Sequence, residues 1–226
     1  YREINVEGTL ILAKQAAQAG VKRFIYLSSI KVNGESTTGR SPFTYADEPV
    51  PEDAYGISKL EAETGLKKVA VETGMEVVII RPPLVYGPGV KGNFATMLNI
   101  VKKGIPLPFG SINNKRSLVS VFNLVDLIVK CLDHPKAANQ TFLVSDGEDL
   151  STTELLKQIG KTIGKSPTLI PIPVAIMKFL ASMLGKKPMA DRLFGSLQVD
   201  LAYTCQTLDW HPPLSVEESL QRSFCD

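Results

Sequence analysis

The fold of this chain is indicated most directly by a stretch in its first half that reads Thr73-Gly74-Met75-Glu76-Val77-Val78-Ile79-Ile80-Arg81. Gly74 follows a helical pattern, and glycine readily takes the left-handed conformation that ends many helices. The apolar residues of 77–80 show no polar alternation, which is typical of a strand covered on both faces. A helix that leads into such a strand predicts one unit of a parallel α/β sheet.

The segments on either side repeat this alternation of helices and short apolar strands. The predicted strands are 23–29, 118–121 and 141–144, and the predicted helices are 5–19, 55–73, 92–103 and 123–132. This order predicts an α/β fold in which crossover helices cover a parallel sheet.

Beyond residue 146 the pattern changes from alternating elements to helices. Ser151 and Glu154 have the spacing of a capping box, which predicts a helix that ends near Ile163. An apolar helix ending near Leu184 and a last helix opened by Ser215 follow. No further strand is expected there, so this region is predicted to be a small, mostly helical lobe.

The composition excludes several classes of function. The 226 residues carry a net charge of +2, which gives no indication of a nucleic-acid partner or of a membrane. The longest apolar stretches are shorter than a membrane span. The three cysteines suggest neither a disulfide framework nor a metal site, and reduced thiols are the usual state of cysteines in the cytoplasm.

Tyr55 and Lys59 are the strongest candidates for chemistry. They are four residues apart on a predicted helix and therefore share one face. A phenol ordinarily has a pKa of about 10, and a nearby buried ammonium group favours the phenolate. The pair thus suits a tyrosine that acts as a general acid or base. Taken alone, the same spacing also fits two helical neighbours without a catalytic role.

Two loops point to the same place as this pair. Ser28 and Ser29 end one predicted strand, and Pro82 follows the strand 77–80. In open α/β sheets, ligands bind beyond the carboxyl ends of the strands. These residues and Tyr55 are therefore expected at one edge of the sheet.

The order of several motifs resembles the extended short-chain dehydrogenase/reductases, a family of nucleotide-sugar epimerases, dehydratases and reductases. The motifs are Asn5-Val6-Glu7-Gly8-Thr9, Lys22 to Ser29, Val32-Asn33-Gly34, Tyr55 to Lys59, Arg81 to Gly89, Arg116 to Asp126 and Leu208-Asp209-Trp210-His211-Pro212. The resemblance implies the C-terminal half of a Rossmann-like, doubly wound parallel sheet with a small substrate lobe. Residues 1–89 and 117–147 would form the remaining half of the NAD(P)-binding domain, and residues 90–116 and 148–226 the nucleotide-sugar-binding lobe.

The resemblance also implies roles for individual residues. Tyr55 would exchange a proton with a sugar hydroxyl, Lys59 would lower the pKa of Tyr55, and Ser29 would bind the same sugar oxygen. The expected cofactor is NAD or NADP, bound by Ser28, Tyr55, Lys59 and Pro82. The diphosphate of a UDP-sugar would be held by Asn93 and Arg116, with Arg192 as a further candidate.

Three departures from the family pattern limit the resemblance. Leu84 stands where the family usually has an asparagine that contacts the nucleotide sugar. Ile30 and Lys31 replace the acidic pair of the 4,6-dehydratases, which argues against that reaction. The Gly-rich turn that receives the cofactor pyrophosphate is not found, so we expect the first three strands of the usual sheet to be missing from this chain.

The resemblance implies an enzyme that moves a hydride to and from carbon 4 of a UDP-hexose, in the manner of a 4-epimerase. A 4-keto reductase of the UDP-N-acetylquinovosamine type remains an alternative, and so does a non-catalytic NAD(P)-binding regulator. We expect a cytoplasmic homodimer of polysaccharide biosynthesis, formed in the intact protein by the helices that begin at Asn5 and Tyr55. The 226-residue chain alone is expected to be inactive.

Overall fold

The main sheet has three parallel strands in the order β1-β2-β5. A computed structural model describes residues 1–90 and 93–224, without the side chains of Asn93 and Pro188. Strand β1 (Arg23–Leu27) pairs with β2 (Glu76–Arg81), and β2 pairs with β5 (Thr141–Leu143). The prediction of a parallel α/β sheet is confirmed, and β2 is the doubly covered strand that its sequence indicates.

Helices cover both faces of this sheet. On one face, α1 (Thr9–Gln18) and α2 (Ala54–Thr73) bury Ala13, Ala62 and Leu66 against the strands. On the other face, α4 (Val121–Asp133) contributes Leu124 and Leu127 to a second core. Helix α1 is preceded by a π-helical turn at Glu3–Gly8, and α2 ends at Gly74, whose φ of 75° is left-handed as predicted.

A second, smaller sheet corrects two expectations. Strand β3 (Leu84–Tyr86) lies where a loop was predicted, because three residues are too few to show a strand pattern. It pairs in parallel with β4 (Arg116–Ser120), and β4 pairs antiparallel with β6 (Asp149–Leu150). The segment 118–121 was therefore correctly predicted as extended but belongs to this sheet. Strand β6 was missed.

The remaining regular elements of the described chain are helices, mostly beyond residue 150, as predicted for that region. The α-helices among them are α3 (Asn93–Lys103), α5 (Thr152–Thr162), α6 (Val174–Met183), α7 (Lys187–Phe194), α8 (Ala202–Leu208) and α9 (Val216–Phe224). The capping box at the start of α5 is present, with both of its hydrogen bonds. Helices α7 and α8 were not predicted.

The long loop 33–53 is attached to the segment 196–200. The Phe43 N–H donates to the Gln198 carbonyl at 2.9 Å, and the Asp200 N–H donates to the Phe43 carbonyl at 2.8 Å. The ring of Tyr45 stacks on that of Tyr203, with 3.6 Å between centroids. These contacts hold the loop beside the carboxyl ends of the strands.

Candidate active site

The first turn of α2 carries Tyr55 and is fixed at its start by Asp53. The Asp53 carboxylate accepts a hydrogen bond from the Gly56 N–H at 2.8 Å and so caps the helix. A Cβ atom added to Gly56 would lie only 2.9 Å from the Lys31 carbonyl oxygen. The glycine that follows Tyr55 therefore allows α2 to approach the turn at Ile30–Val32 closely.

Lys59 connects α2 to the carboxyl end of β1. Its ammonium group donates to the Leu27 carbonyl at 2.9 Å and lies 4.6 Å from the centre of the Tyr26 ring. The same nitrogen is 5.9 Å from the centre of the Tyr55 ring. Burial lowers the pKa of Lys59. Tyr55 and Lys59 thus face the same edge of the sheet, as predicted.

The expected effect of Lys59 on Tyr55 is not what the structure shows. Burial raises the pKa of Tyr55, and the cation that partly offsets this rise is Lys31 rather than Lys59. The ionised form of a half-buried tyrosine is poorly hydrated, which disfavours ionisation. Lys59 does not offset this effect, because its ammonium group is directed toward the Leu27 carbonyl. The sequence did not reveal this, because helical spacing fixes a shared face but not the direction of a long side chain.

Ser28 and Ser29 occupy different environments although they are neighbours. Ser29 caps the turn at Ile30–Val32, and its hydroxyl accepts from the Lys31 N–H at 3.3 Å. Ser28 is buried, and its hydroxyl donates to the Glu63 carboxylate at 2.5 Å. Ser29 thus lies at the edge of the sheet with α2, whereas the Ser28 hydroxyl points into the protein.

Pro82 lies at the same edge as Ser29. It is buried, and its carbonyl accepts from the Ile30 N–H at 2.9 Å. This hydrogen bond joins the end of β2 to the turn that Ser29 caps. The backbone nitrogen of proline carries no hydrogen, so Pro82 can make this link only through its carbonyl.

A buried ion pair lies beneath the candidate catalytic residues. The guanidinium of Arg81 donates to both oxygens of Glu63, at 2.9 and 2.5 Å, and to the Asn33 side chain at 3.0 Å. The side chains of Arg81 and Glu63 are only 4% and 1% exposed. Because the Ser28 hydroxyl bonds Glu63 as well, this network joins α2 to the ends of β1 and β2.

Arg116 and Arg192, both predicted to bind a diphosphate, are brought together. The Arg116 guanidinium donates to the backbone carbonyls of Arg192 at 2.7 Å and of Gly195 at 3.2 Å. Burial lowers the pKa of Arg116. The side chain of Asn93, the third predicted residue, lies outside the described residues.

The Arg192 side chain reaches the start of α2. It pairs with Glu35 at 2.7 Å and lies 3.8 Å from the Asp53 carboxylate. Lys31 contacts the same two acids, at 3.0 Å and 2.5 Å. Although burial opposes the change, these carboxylates raise the pKa of Lys31, and hydrogen bonds from Lys31 and Gly56 lower that of Asp53.

Sequence reasoning missed three charged residues of this region, Glu35, Asp53 and Glu63, and the role of a fourth, Lys31. Glu63 could have been predicted from the sequence, since it is four residues beyond Lys59 and therefore on the same face of α2. Asp53 also gave a local signal, since an aspartate directly before a helix is a common N-cap, whereas Glu35 lies in a loop without periodicity. The contact of Glu35 with Arg192 joins residues 157 positions apart, which no local pattern can show.

Two kinds of feature are not found in the described part of the chain. Within residues 1–90 and 93–224, no three His, Cys, Asp or Glu side chains are placed to hold a metal ion. Over the same residues, no helix is long and apolar enough to cross a membrane.

Comparisons with known proteins show the family of this chain. The model of the NAD dependent epimerase/dehydratase family matches residues 1–145. The UDP-glucose 4-epimerase of Vibrio cholerae is 55% identical over 224 residues, which are 99% of this chain and 68% of that protein. The chain thus spans about two thirds of the length of this relative.

Solved structures show the same fold. The UDP-glucose 4-epimerase of Thermotoga maritima with UDP-glucose matches with a TM-score of 0.75 and 25% identity, over 97% of this chain and 67% of that one. The UDP-glucuronic acid 4-epimerase of Bacillus cereus with NAD matches with a TM-score of 0.78 and 19% identity, over 98% and 66% of the two chains. At that identity, the second match bears on the fold alone.

The parallel sheet covered by helices on both faces is that of a Rossmann-like chain. The family match covers more than half of its residues. The chain belongs to the NAD dependent epimerase/dehydratase family.

Proposed function

We propose that the protein containing this chain is an NAD-dependent 4-epimerase that acts on a UDP-hexose. The observation that carries this proposal is the 55% identity with the UDP-glucose 4-epimerase of Vibrio cholerae over 99% of the chain. The presence of Tyr55 and Lys59 at one edge of the sheet supports an enzyme rather than a non-catalytic regulator.

The residues at the strand ends fit the nicotinamide half of such a cofactor. They supply a half-buried ammonium group and a half-buried phenol beside the ends of β1 and β2. When bound, such a cofactor would supply the hydride acceptor and donor for carbon 4 of the sugar. Tyr55 takes the proton from the sugar hydroxyl and gives it back, and Ser29 supports the same oxygen. Lys59, held at the end of β1 by the Leu27 carbonyl, would bind the cofactor.

The diphosphate of the substrate is proposed to bind near Arg116 and Arg192, with Asn93 as a third ligand. One nitrogen of the Arg116 guanidinium donates to the carbonyls of Arg192 and Gly195. These two hydrogen bonds fix the orientation of the planar group and hence of its other N–H donors. Arg192 is paired with Glu35, so a phosphate must compete with that carboxylate. Charge-assisted hydrogen bonds to phosphate favour such an exchange.

The wider setting is also part of the proposal. The protein would act in the cytoplasm in polysaccharide biosynthesis, with residues 90–116 and 148–226 as the sugar-nucleotide lobe. It would be a homodimer joined through α1 and α2. The exposed side chains of Ile11 and Leu12 on α1 and of Ile57 on α2 support that interface, since they would lose contact with water there.

The acid/base role is tested by Tyr55→Phe in the full-length protein. Turnover should fall by roughly 100- to 10,000-fold, while binding of the UDP-sugar changes little, because only the phenolic hydroxyl is removed. Tyr45→Phe serves as the control, since Tyr45 lies outside this site and stacks on Tyr203. Turnover of Tyr55→Phe within a few-fold of wild type would remove Tyr55 from this role.

The assay also separates an epimerase from a 4-keto reductase. An epimerase returns the hydride to the same sugar and therefore converts UDP-glucose to UDP-galactose with no net change in nicotinamide absorbance. A reductase consumes one reduced cofactor for each 4-keto sugar. Stoichiometric loss of NADPH or NADH absorbance, without interconversion of the two hexoses, would overturn the epimerase proposal.

The diphosphate role is tested by Arg116→Ala. The variant should bind UDP more weakly by about 1.5–3 kcal/mol, the usual contribution of hydrogen bonds to a charged group. Titration calorimetry with UDP measures this difference, and Arg222→Ala, on the exposed side of α9, is the matched control. Equal UDP affinity of Arg116→Ala and Arg222→Ala would contradict the assignment.

A further inference from the structure

Helix α6 turns an apolar side toward the solvent. Its exposed large side chains include Phe179, Leu180 and Met183, at 65%, 53% and 71% exposure. Ile176 precedes them and Leu184 follows them, exposed by 50% and 73%. Positions 176, 179, 180, 183 and 184 have the spacing of one helix face. We call these five residues the α6 stripe.

The stripe is unusual because α6 exposes more large apolar side chains than it buries. Met177 is the buried side chain of this helix, which packs on α7. Met189, on α7, is also 67% exposed. Large apolar side chains that stand together on a surface mark a site of contact with a protein or a membrane.

The segment of sequence that contains the stripe is basic, although two of its cations, Lys161 and Arg192, pair with acids outside it. Segment 155–199 contains seven basic residues and one acidic residue, which leaves 18 basic and 22 acidic residues, a net charge of −4, for the rest of the chain. The single acid, Asp191, pairs with Lys178 at 3.1 Å. Lys186 and Lys187 directly follow the stripe, are exposed, and form no ion pair with any described residue.

We propose that the α6 stripe rests on an anionic lipid bilayer. A short helix with an apolar face and neighbouring lysines is the kind that lies in the headgroup region, with its apolar side chains among the upper acyl groups. Lys186 and Lys187 then meet the negative lipid headgroups. The net charge of +2 of the whole chain concealed this possibility, because the positive charge is concentrated in one segment.

Charge favours a bilayer over a second copy of this chain. Two copies joined through their α6 stripes would bring two segments of the same positive charge together, and that repulsion opposes association. An anionic surface, in contrast, gains from every lysine near it. The inference extends the proposed function, since it would hold a nucleotide-sugar site beside a membrane, but it does not depend on the reaction catalysed.

The experiment is co-sedimentation of the full-length protein with vesicles. Vesicles of phosphatidylcholine alone are compared with vesicles that contain about 30% phosphatidylglycerol, an anionic lipid. The protein should sediment with the anionic vesicles, and high salt should release it. Absence of binding, or equal binding to both kinds of vesicle, would overturn the proposal.

Two double variants separate the contribution of the apolar side chains from that of the lysines. Leu180→Gln/Met183→Gln should weaken vesicle binding at least about 10-fold, because two apolar side chains no longer enter the bilayer. Lys186→Gln/Lys187→Gln should weaken binding to anionic vesicles about 30-fold, since each lysine near the surface contributes a factor of about five. Val129→Gln, at an apolar position of α4 that is 58% exposed, is the matched control.

Three results would overturn the proposal even if the protein sediments. One is a loss of binding by Val129→Gln as large as that of the stripe variant. Another is unchanged binding by the lysine variant. The third is self-association in solution that the stripe variant abolishes while vesicle binding persists, which would assign the stripe to a second copy. Thermal unfolding and turnover in solution, measured on every variant, show whether fold and chemistry are intact.

Discussion

Glu63 and Arg81 form a charge pair that is almost completely removed from water. Breaking such a pair by removing one partner leaves a buried charge without compensation. Arg81→Met should therefore lower the free energy of unfolding by about 3–5 kcal/mol. Glu63→Leu/Arg81→Met should be more stable than Arg81→Met, because no charge is then left in the core.

Denaturant unfolding of the three proteins tests this ordering. Arg2→Met is the control, since Arg2 pairs with Glu61 at the surface, where ion pairs contribute less than about 1 kcal/mol. If the double variant proves less stable than Arg81→Met, the hydrogen bonds to Ser28 and Asn33 contribute more than the charge pair itself.

Lys31 and Asp53 give stability a defined dependence on pH. The pKa of Asp53 is lowered in the folded chain, so its contribution is present above about pH 4 and lost as the pH falls. The pKa of Lys31 is raised, so its contribution is present below about pH 10 and lost as the pH rises. The pair therefore contributes fully only in the range between these values.

Lys31→Met tests this dependence. The difference in unfolding free energy between wild type and variant should be about 1 kcal/mol near neutral pH, since both groups are partly exposed, and should shrink toward either extreme. Lys14→Met, at an exposed position of α1, should show no such dependence. A difference that grows below pH 4 would have the wrong sign for this ion pair.

At the scale of the element, helix α5 depends on its capping box. Ser151 accepts from the Glu154 N–H at 3.1 Å, and the Glu154 carboxylate accepts from the Ser151 N–H at 2.8 Å. Ser151→Ala should lower the free energy of unfolding by about 1 kcal/mol. Ser166→Ala, in the exposed segment after α5, should change it little. Equal thermal unfolding of both variants would show that α5 does not need this cap.

The elements show which parts of the structure the sequence could specify. Local signals succeeded: Gly74 ended α2, and Ser151 with Glu154 opened α5. Strand β3 was missed because its three residues are too few to show a strand pattern. Tyr55 and Lys59 were placed correctly for the same local reason. The charge cluster around Lys31 was not, because tertiary contacts bring Arg192 to it.

At the scale of the whole molecule, β1 is an edge strand in the described part of the chain. The Ser28 N–H donates to the Ile80 carbonyl of β2. Because successive residues of a strand face opposite neighbours, the N–H of Leu27 faces the open edge. Open edges pair readily with other chains. The 226-residue chain, produced alone, should therefore self-associate through β1.

Leu27→Pro tests the edge without disturbing the pairing with β2. The substitution removes one outward N–H and should lower the mass of the species seen in sedimentation. Leu27→Gln removes the same exposed side chain but keeps the N–H, and it should associate like wild type. Equal masses for Leu27→Pro and Leu27→Gln would exclude β1 as the site of association.

The attachment of the loop 33–53 to the segment 196–200 bears on how the protein is digested. Proteases cut chain that can leave its surroundings, and long polar loops are their usual targets. Here Phe43 is hydrogen-bonded on both sides, and Arg40 on the same loop lies over its ring. In brief digestion with trypsin, cleavage after the exposed Lys186 should precede cleavage after Arg40. Mass spectrometry of the first fragments would identify the site of first cleavage. Early cleavage after Arg40 would show that these contacts do not hold the loop in place.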